Sequence, residues 1–92
     1  MATKLSKIIN HWVPENSKVI DFGCGDGSLL KELIETKNIL AYGIEINNLK
    51  IEKCIEKGVP VIKQDIDKGM NEFKSSNFDL SIMACLLYTS DA

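Results

Sequence analysis

No apolar run in this 92-residue chain approaches the ~20 residues that cross a bilayer. A membrane-spanning helix is therefore not expected. Histidine is nearly absent, with His11 alone. Cysteine is sparse: Cys24, Cys54 and Cys85 are odd in number, far apart and without a C-x-x-C pair. Neither a zinc site nor a disulfide framework fits that pattern, so no metal is expected. Positive charge is not in excess. The net charge is −2 with 26% charged residues, and the cations are interspersed with acids. Nucleic-acid binding through phosphate contacts has no electrostatic support. Met1-Ala2-Thr3-Lys4 leads into an amphipathic segment rather than an apolar signal core, which makes the cytoplasm the expected location. Internal repeats and low-complexity stretches are missing too. The remaining expectation is one small domain, with 45% apolar residues to build its core.

What is there is organised around Lys18-Val19-Ile20-Asp21-Phe22-Gly23-Cys24-Gly25-Asp26-Gly27-Ser28-Leu29-Leu30. It starts as a short apolar run and ends as the beginning of an amphipathic helix. Three glycines alternate between. A glycine-dense turn from a buried strand into a helix lets a ligand approach the backbone, and the first helical N–H groups face that approach. A plain tight turn would need only one glycine. The pattern therefore favours a nucleotide-type ligand. Cys24 lies inside the turn, but no basic residue beside it in sequence supports a reactive thiol.

The remaining chain reads as alternating helices and strands. Residues 5, 8, 9, 12 and 13 are apolar at helical spacing, and Pro14 ends that helix. Trp12 falls on its apolar side and His11 on its polar side. Lys18–Phe22 is the first strand. Leu29, Leu30, Leu33 and Ile34 mark the face of a second helix, with Asp26 or Gly27 at its N-cap. Ile39–Ile46 is a second strand, apolar enough to be covered on both faces. Asn47 or Asn48 caps a third helix with an apolar stripe of Leu49, Ile51, Cys54 and Ile55, and Gly58 suits its C-terminal stop. Cys54 reads as a small core residue. Val59–Lys63 is a third strand, Gln64–Gly69 a polar loop, Met70–Phe73 one helical turn, and Phe78–Met83 a fourth strand. Such alternation implies right-handed βαβ units and a parallel sheet.

Acids lie at or beside the predicted carboxyl ends of the strands: Asp21 and Asp26, Glu45, and Asp65. Ligands of open α/β sheets bind outside those ends. Glu45, some twenty residues past the glycines, suits two hydrogen bonds from a ribose diol. A carboxylate only accepts, and a vicinal diol can donate twice. The dinucleotide fingerprint needs G-x-G-x-x-G, whereas Gly23, Gly25 and Gly27 give G-x-G-x-G, with Ser28 in the third glycine's place. Two carboxylates beside the turn would also repel a pyrophosphate. They suit a ligand with a positive centre. S-adenosylmethionine has a sulfonium, an amino group, a ribose and an adenine, and no phosphate. Spacing and charge thus favour it over NAD, and an NAD-dependent oxidoreductase is the disfavoured alternative.

On these residues the chain resembles the class I S-adenosylmethionine-dependent methyltransferases. Asp21 to Gly27 looks like their first motif and Gly43-Ile44-Glu45-Ile46 like the ribose-binding strand end. Gln64-Asp65-Ile66 looks like the adenine-side loop and Phe78-Asp79-Leu80 like the fourth-strand motif. Within that superfamily the chain is most similar to the MetW family, through Asp21 to Leu30, Tyr42 to Ile46, Gly58 to Ile62 and Gln64 to Gly69. The resemblance implies a Rossmann-like α/β sheet with flanking helices. It implies that Glu45 binds the ribose hydroxyls, Asp65 accepts from the adenine amino group with the Ile66 amide facing the ring, and Ile46 packs on the adenine. Asp21, Gly23, Cys24, Gly25 and Gly27 would line the methionine end. Asp79 is expected to stabilise its own turn instead.

The resemblance also implies a link to homoserine O-acetyltransferase, so a non-catalytic regulatory partner of that enzyme is a second reading. Any methyl transfer would be an in-line attack helped mainly by positioning, and no general base is nominated. The resemblance spans most of residues 5 to 84. A class I domain needs about twice this length, so residues 1–92 are expected to be the N-terminal half of one domain. Residues 85–92 are set apart as a tail, within which Leu87 to Ala92 does not look like the family's continuation.

Overall fold

The computed structural model describes residues 4–73 and 78–83. The tail from 85 to 92 lies outside these. Among the described residues four helices and four strands alternate: α1 Lys4–Trp12, β1 Lys18–Phe22, α2 Ser28–Lys37, β2 Leu40–Glu45, α3 Asn48–Glu56, β3 Val61–Lys63, α4 Ile66–Phe73 and β4 Leu80–Ile82. All three strand pairings are parallel, and the order is β3-β2-β1-β4. The chain winds outward from β1 through β2 to β3, then returns to place β4 on the other side of β1. Strand order therefore reverses at β1, which opens a crevice at its carboxyl end. The glycine turn leaves β1 there. This is the Rossmann-like parallel sheet expected from the sequence.

Period-two alternation splits the core between the two faces of the sheet. Val19, Ala41 and Ile82 meet Val13, Leu29, Leu30, Leu33, Cys54 and Val59 on one face. Ile20, Phe22 and Ile44 meet Ile66, Phe73 and Phe78 on the other. Both faces are thus covered, as a parallel sheet requires. Gly58, at φ +75°, ends α3, with Val59 N–H donating to the Cys54 carbonyl at 2.9 Å.

Three local expectations change. Gln64–Gly69 is not a loop: α4 begins at Ile66, with the Asp65 Oδ1 accepting from Lys68 N–H at 2.7 Å as its cap. Gly69, which reads as a helix breaker, sits inside α4 where a Cβ would come within 3.1 Å of Ile44. Its missing side chain lets α4 lie close on β2, and that packing outweighs its weak propensity. Trp12 is 75% exposed, not on the buried face of α1. α1 is instead turned so that Ser6 and Val13 are buried, and Asn10 Nδ2 reaches Thr36 Oγ1 on α2. The expected stripe on α3 narrows to one residue. Cys54 is buried, Ile51 is half-buried, and Leu49 and Ile55 face solvent.

Candidate functional site

The parallel ladder between β1 and β2 runs to Phe22 opposite Ile44, and Gly23 and Cys24 N–H both donate to the Ile44 carbonyl. The chain then turns. Gly27 N–H donates to the Cys24 carbonyl at 3.2 Å, closing a β-turn whose first central residue, Gly25, has φ +63°. Only glycine adopts that conformation without strain. A Cβ built on Gly25 meets nothing within 4 Å. Open space in front of a glycine backbone is the feature a closely approaching ligand needs.

The other glycines do different work. A Cβ on Gly27 would lie 3.0 Å from Cys54 Sγ, and one on Gly43 would lie 2.5 Å from Cys24 Sγ. Both let side chains of the core pass close to backbone. Gly27 also forms the N-cap of α2, without a side-chain bond; Asp26 Oδ1 accepts from Ser28 N–H at 3.0 Å. That bond, more than the neighbouring Lys57, holds the Asp26 carboxyl below its ordinary pKa.

Glu45 ends β2 on the same side of the sheet as the turn. It is buried, and three backbone amides converge on it. Its Oε1 accepts from Gly25 N–H at 2.9 Å, and its Oε2 from Ile46 and Asn47 N–H at 3.0 and 2.9 Å. Asn47 caps α3 through Lys50 N–H. Asp21 is buried at the end of β1. Ile46 is 55% exposed immediately after β2.

The structure therefore brings Asp21, Gly23, Gly25 and Glu45 to one edge, with Ile46 beside them. Asp65 and Ile66 stand after β3, at the carboxyl edge of its ladder with β2, where Gln64 N–H donates to the Glu45 carbonyl. One Asp65 oxygen already caps α4. The Cys24 side chain does not reach the open side. It is buried against Gly43, with its Sγ 3.7 Å from Cys54 Sγ. Burial first, and then Cys54, push the Cys24 thiol far above the usual range, so nothing activates it. Asp79 is structural, but not within its own turn as expected: its carboxylate accepts from Lys18 N–H at 2.8 Å and so ties the start of β4 to the start of β1, at the opposite edge of the sheet.

Two contacts at the turn had no signal in the sequence. Cys54 Sγ donates to the Gly25 carbonyl at 3.2 Å, and Lys57 Nζ to the Asp26 carbonyl at 2.9 Å. Both residues lie about thirty positions away, and only the fold brings α3 to the turn. A groove of about 250 Å³ beside it, lined by Ser28, Lys31, Glu32, Glu35 and Lys57, contains none of the predicted site residues. Among the described residues no group of three His, Cys, Asp or Glu could hold a metal ion, and no helix is long and apolar enough to cross a membrane.

A parallel sheet of this order, with a glycine turn after β1 and an acid ending β2, is the frame of the Rossmann-like nucleotide-binding folds, and within these the chain has the class I methyltransferase fold. The fold is shared with a TehB-like SAM-dependent methyltransferase of Corynebacterium glutamicum, with a TM-score of 0.73, 19% identity, and 95% of this chain matched to 47% of that one. The chain belongs to the MetW family, methionine biosynthesis protein MetW, whose family model matches residues 4–91. Two curated relatives are each 28% identical over 83 residues. One is a bifunctional methionine biosynthesis protein MetXA/MetW of Rhodopirellula baltica, matched over 82% of this chain and 13% of that protein. The other is a probable tRNA (uracil-O(2)-)-methyltransferase of Caenorhabditis elegans, matched over 89% and 15%. The chain thus spans less than a sixth of either curated relative.

Proposed function

We propose that this chain binds S-adenosylmethionine, as part of a MetW-family protein serving methionine biosynthesis. The observation that carries the reading is the open approach to Gly25 beside the Glu45 carboxylate, at the edge where strand order reverses. The donor set fits the cofactor. Glu45 can only accept, which matches a ribose diol. Asp21, Asp26 and Glu45 surround the turn with negative charge, which suits a sulfonium and an ammonium and opposes a pyrophosphate. Ile46 offers an exposed apolar surface for an adenine face, and Asp65 retains acceptor capacity for its amino group. When bound, S-adenosylmethionine supplies an electrophilic methyl on sulfur. The residues described here bind and orient, and none of them is placed as a general base.

Thermal unfolding tests the reading. Ligand at a hundred times its Kd stabilises by about 2.7 kcal/mol, which raises the Tm of a domain this small by several degrees. S-adenosylhomocysteine should do this and NADH should not. A rise with NADH alone would establish the oxidoreductase reading instead.

A second reading has one supporting observation: a relative carries MetXA and MetW in a single bifunctional chain. On that reading the chain is a regulatory partner of homoserine O-acetyltransferase. Capture of that enzyme on the immobilised protein, with and without S-adenosylhomocysteine, tests it. Capture indifferent to Glu45→Ala and Asp65→Ala would favour a scaffold role, and no capture would exclude it.

A further inference from the structure

We infer that α3 acts as a brace for the glycine turn, with Lys57 and Cys54 as positioning residues for the cofactor site. The inference rests on the cofactor reading for its consequence, but its geometry stands separately. Cys54 and Lys57 lie three positions apart, and side chains at that spacing share one helix face. They reach two successive peptide groups of the turn, one each. The Cys54 thiol donates to the Gly25 carbonyl at 3.2 Å, and the Lys57 ammonium donates to the Asp26 carbonyl at 2.9 Å. The ammonium also stands 3.9 Å from the Asp26 carboxylate.

These contacts fix the orientation of the turn. In a trans peptide the carbonyl of one residue and the N–H of the next point in opposite directions. Holding the Gly25 carbonyl on α3 therefore turns the Asp26 N–H away from α3. Holding the Asp26 carbonyl there aims the Gly27 N–H at the Cys24 carbonyl, where it closes the β-turn. On its other side Gly25 is held through its own N–H by Glu45. The Gly25 residue is thus gripped from β2 and from α3, and the space in front of it stays open. Gly27 completes the arrangement. A side chain there would meet Cys54 Sγ and Cα at 3.0 and 3.4 Å, so the close seat of α3 needs a glycine at that position.

The brace also explains a feature of α3. This helix buries only Cys54 among its residues and leaves Leu49 and Ile55 exposed. Its contribution to the core is small, while its contacts with the turn are specific and polar. The Lys57 contact is charge-assisted and so is the stronger of the two.

Hydrogen–deuterium exchange across residues 23–30, with S-adenosylhomocysteine titration in parallel, tests the brace in Lys57→Met, Lys57→Arg and a control, Lys53→Met. Lys57→Met keeps the aliphatic stem and removes the donor. We expect its turn amides to exchange about five-fold faster and its ligand affinity to fall about five-fold, the scale of a charge-assisted bond partly screened by solvent. β1 and the second half of α2 should keep wild-type rates. Lys57→Arg should restore both readouts to within about two-fold, and Lys53→Met should match wild type. Unchanged exchange in Lys57→Met overturns the brace. A loosened turn with unchanged affinity overturns its positioning role. If the wild-type protein binds no S-adenosylhomocysteine, the cofactor reading fails, and the exchange comparison still decides the brace.

Discussion

The Glu45 carboxylate and the Gly25 amide meet at 2.9 Å across the gap between β2 and the turn after β1. A carboxylate offers about four acceptor sites. The Gly25, Ile46 and Asn47 amides fill three of them. Two bonds from a ribose diol therefore require one amide to yield. Ile46 and Asn47 are fixed by their own chain to the end of β2, so the inter-element bond to Gly25 is the one to exchange. On titration with S-adenosylhomocysteine, the Gly25 amide proton should move upfield in an NMR spectrum as it loses its carboxylate. A Gly25 resonance that stays in place at saturation would contradict this exchange.

The three amide bonds also make Glu45 structural. Glu45→Ala leaves three part-buried N–H groups without their acceptor and should destabilise the fold by about 2–3 kcal/mol. Urea unfolding reads this directly. Glu45→Gln keeps one carbonyl acceptor and should cost less.

Gly25 and Gly27 should separate in their effects. Gly25→Ala puts a Cβ into open space at φ +63°, a strain of about 1–2 kcal/mol, and narrows the ligand's approach. Gly27→Ala combines similar strain with overpacking on Cys54, about 2–4 kcal/mol together. Urea midpoints should therefore fall further for Gly27→Ala. Ligand affinity, compared at equal folded fraction, should fall further for Gly25→Ala. Gly43→Ala has no positive φ to strain and acts by packing alone. Adding Cys24→Ala should recover part of its loss.

The strands were legible because they follow from local signals, and so was the placing of the glycine turn and Glu45 at the carboxyl ends of β1 and β2; the bond between Gly25 and Glu45 was not. β1 and β2 are apolar runs bounded by turn residues, and the alternating glycines with an acid some twenty positions later state a site in one dimension. α4 was not legible, because Gly69 weakens a helix on propensity and helps it only through Ile44, which the sequence places far away. Trp12 was misplaced for a related reason. Helical spacing fixes which residues share a face, but the seat of α1 on α2 decides where that face ends. The brace from α3 was invisible, since Cys54 and Lys57 find their partners only when the sheet is assembled.

Cys24 gives the fold a pH dependence. Burial raises its folded-state pKa above the ordinary value of 9.0. The folded thiol stays protonated where the unfolded one ionises, so the unfolded state binds fewer protons above pH 9.0 and stability falls as pH rises. Below that value the contribution is fully present. The advantage of wild type over Cys24→Ala in urea midpoint should therefore be constant below pH 9.0 and shrink as pH rises above it. A difference constant with pH would contradict the assignment.

Titration calorimetry of S-adenosylhomocysteine into the wild-type protein and into Glu45→Gln tests the central claim most directly. The Gln side chain keeps the shape of Glu45 but loses the charge and one acceptor oxygen. Loss of charge-assisted bonds to the ribose should weaken binding about ten-fold or more, with both proteins folded by circular dichroism. Equal affinities in two folded proteins, or no binding by the wild type, would contradict the account.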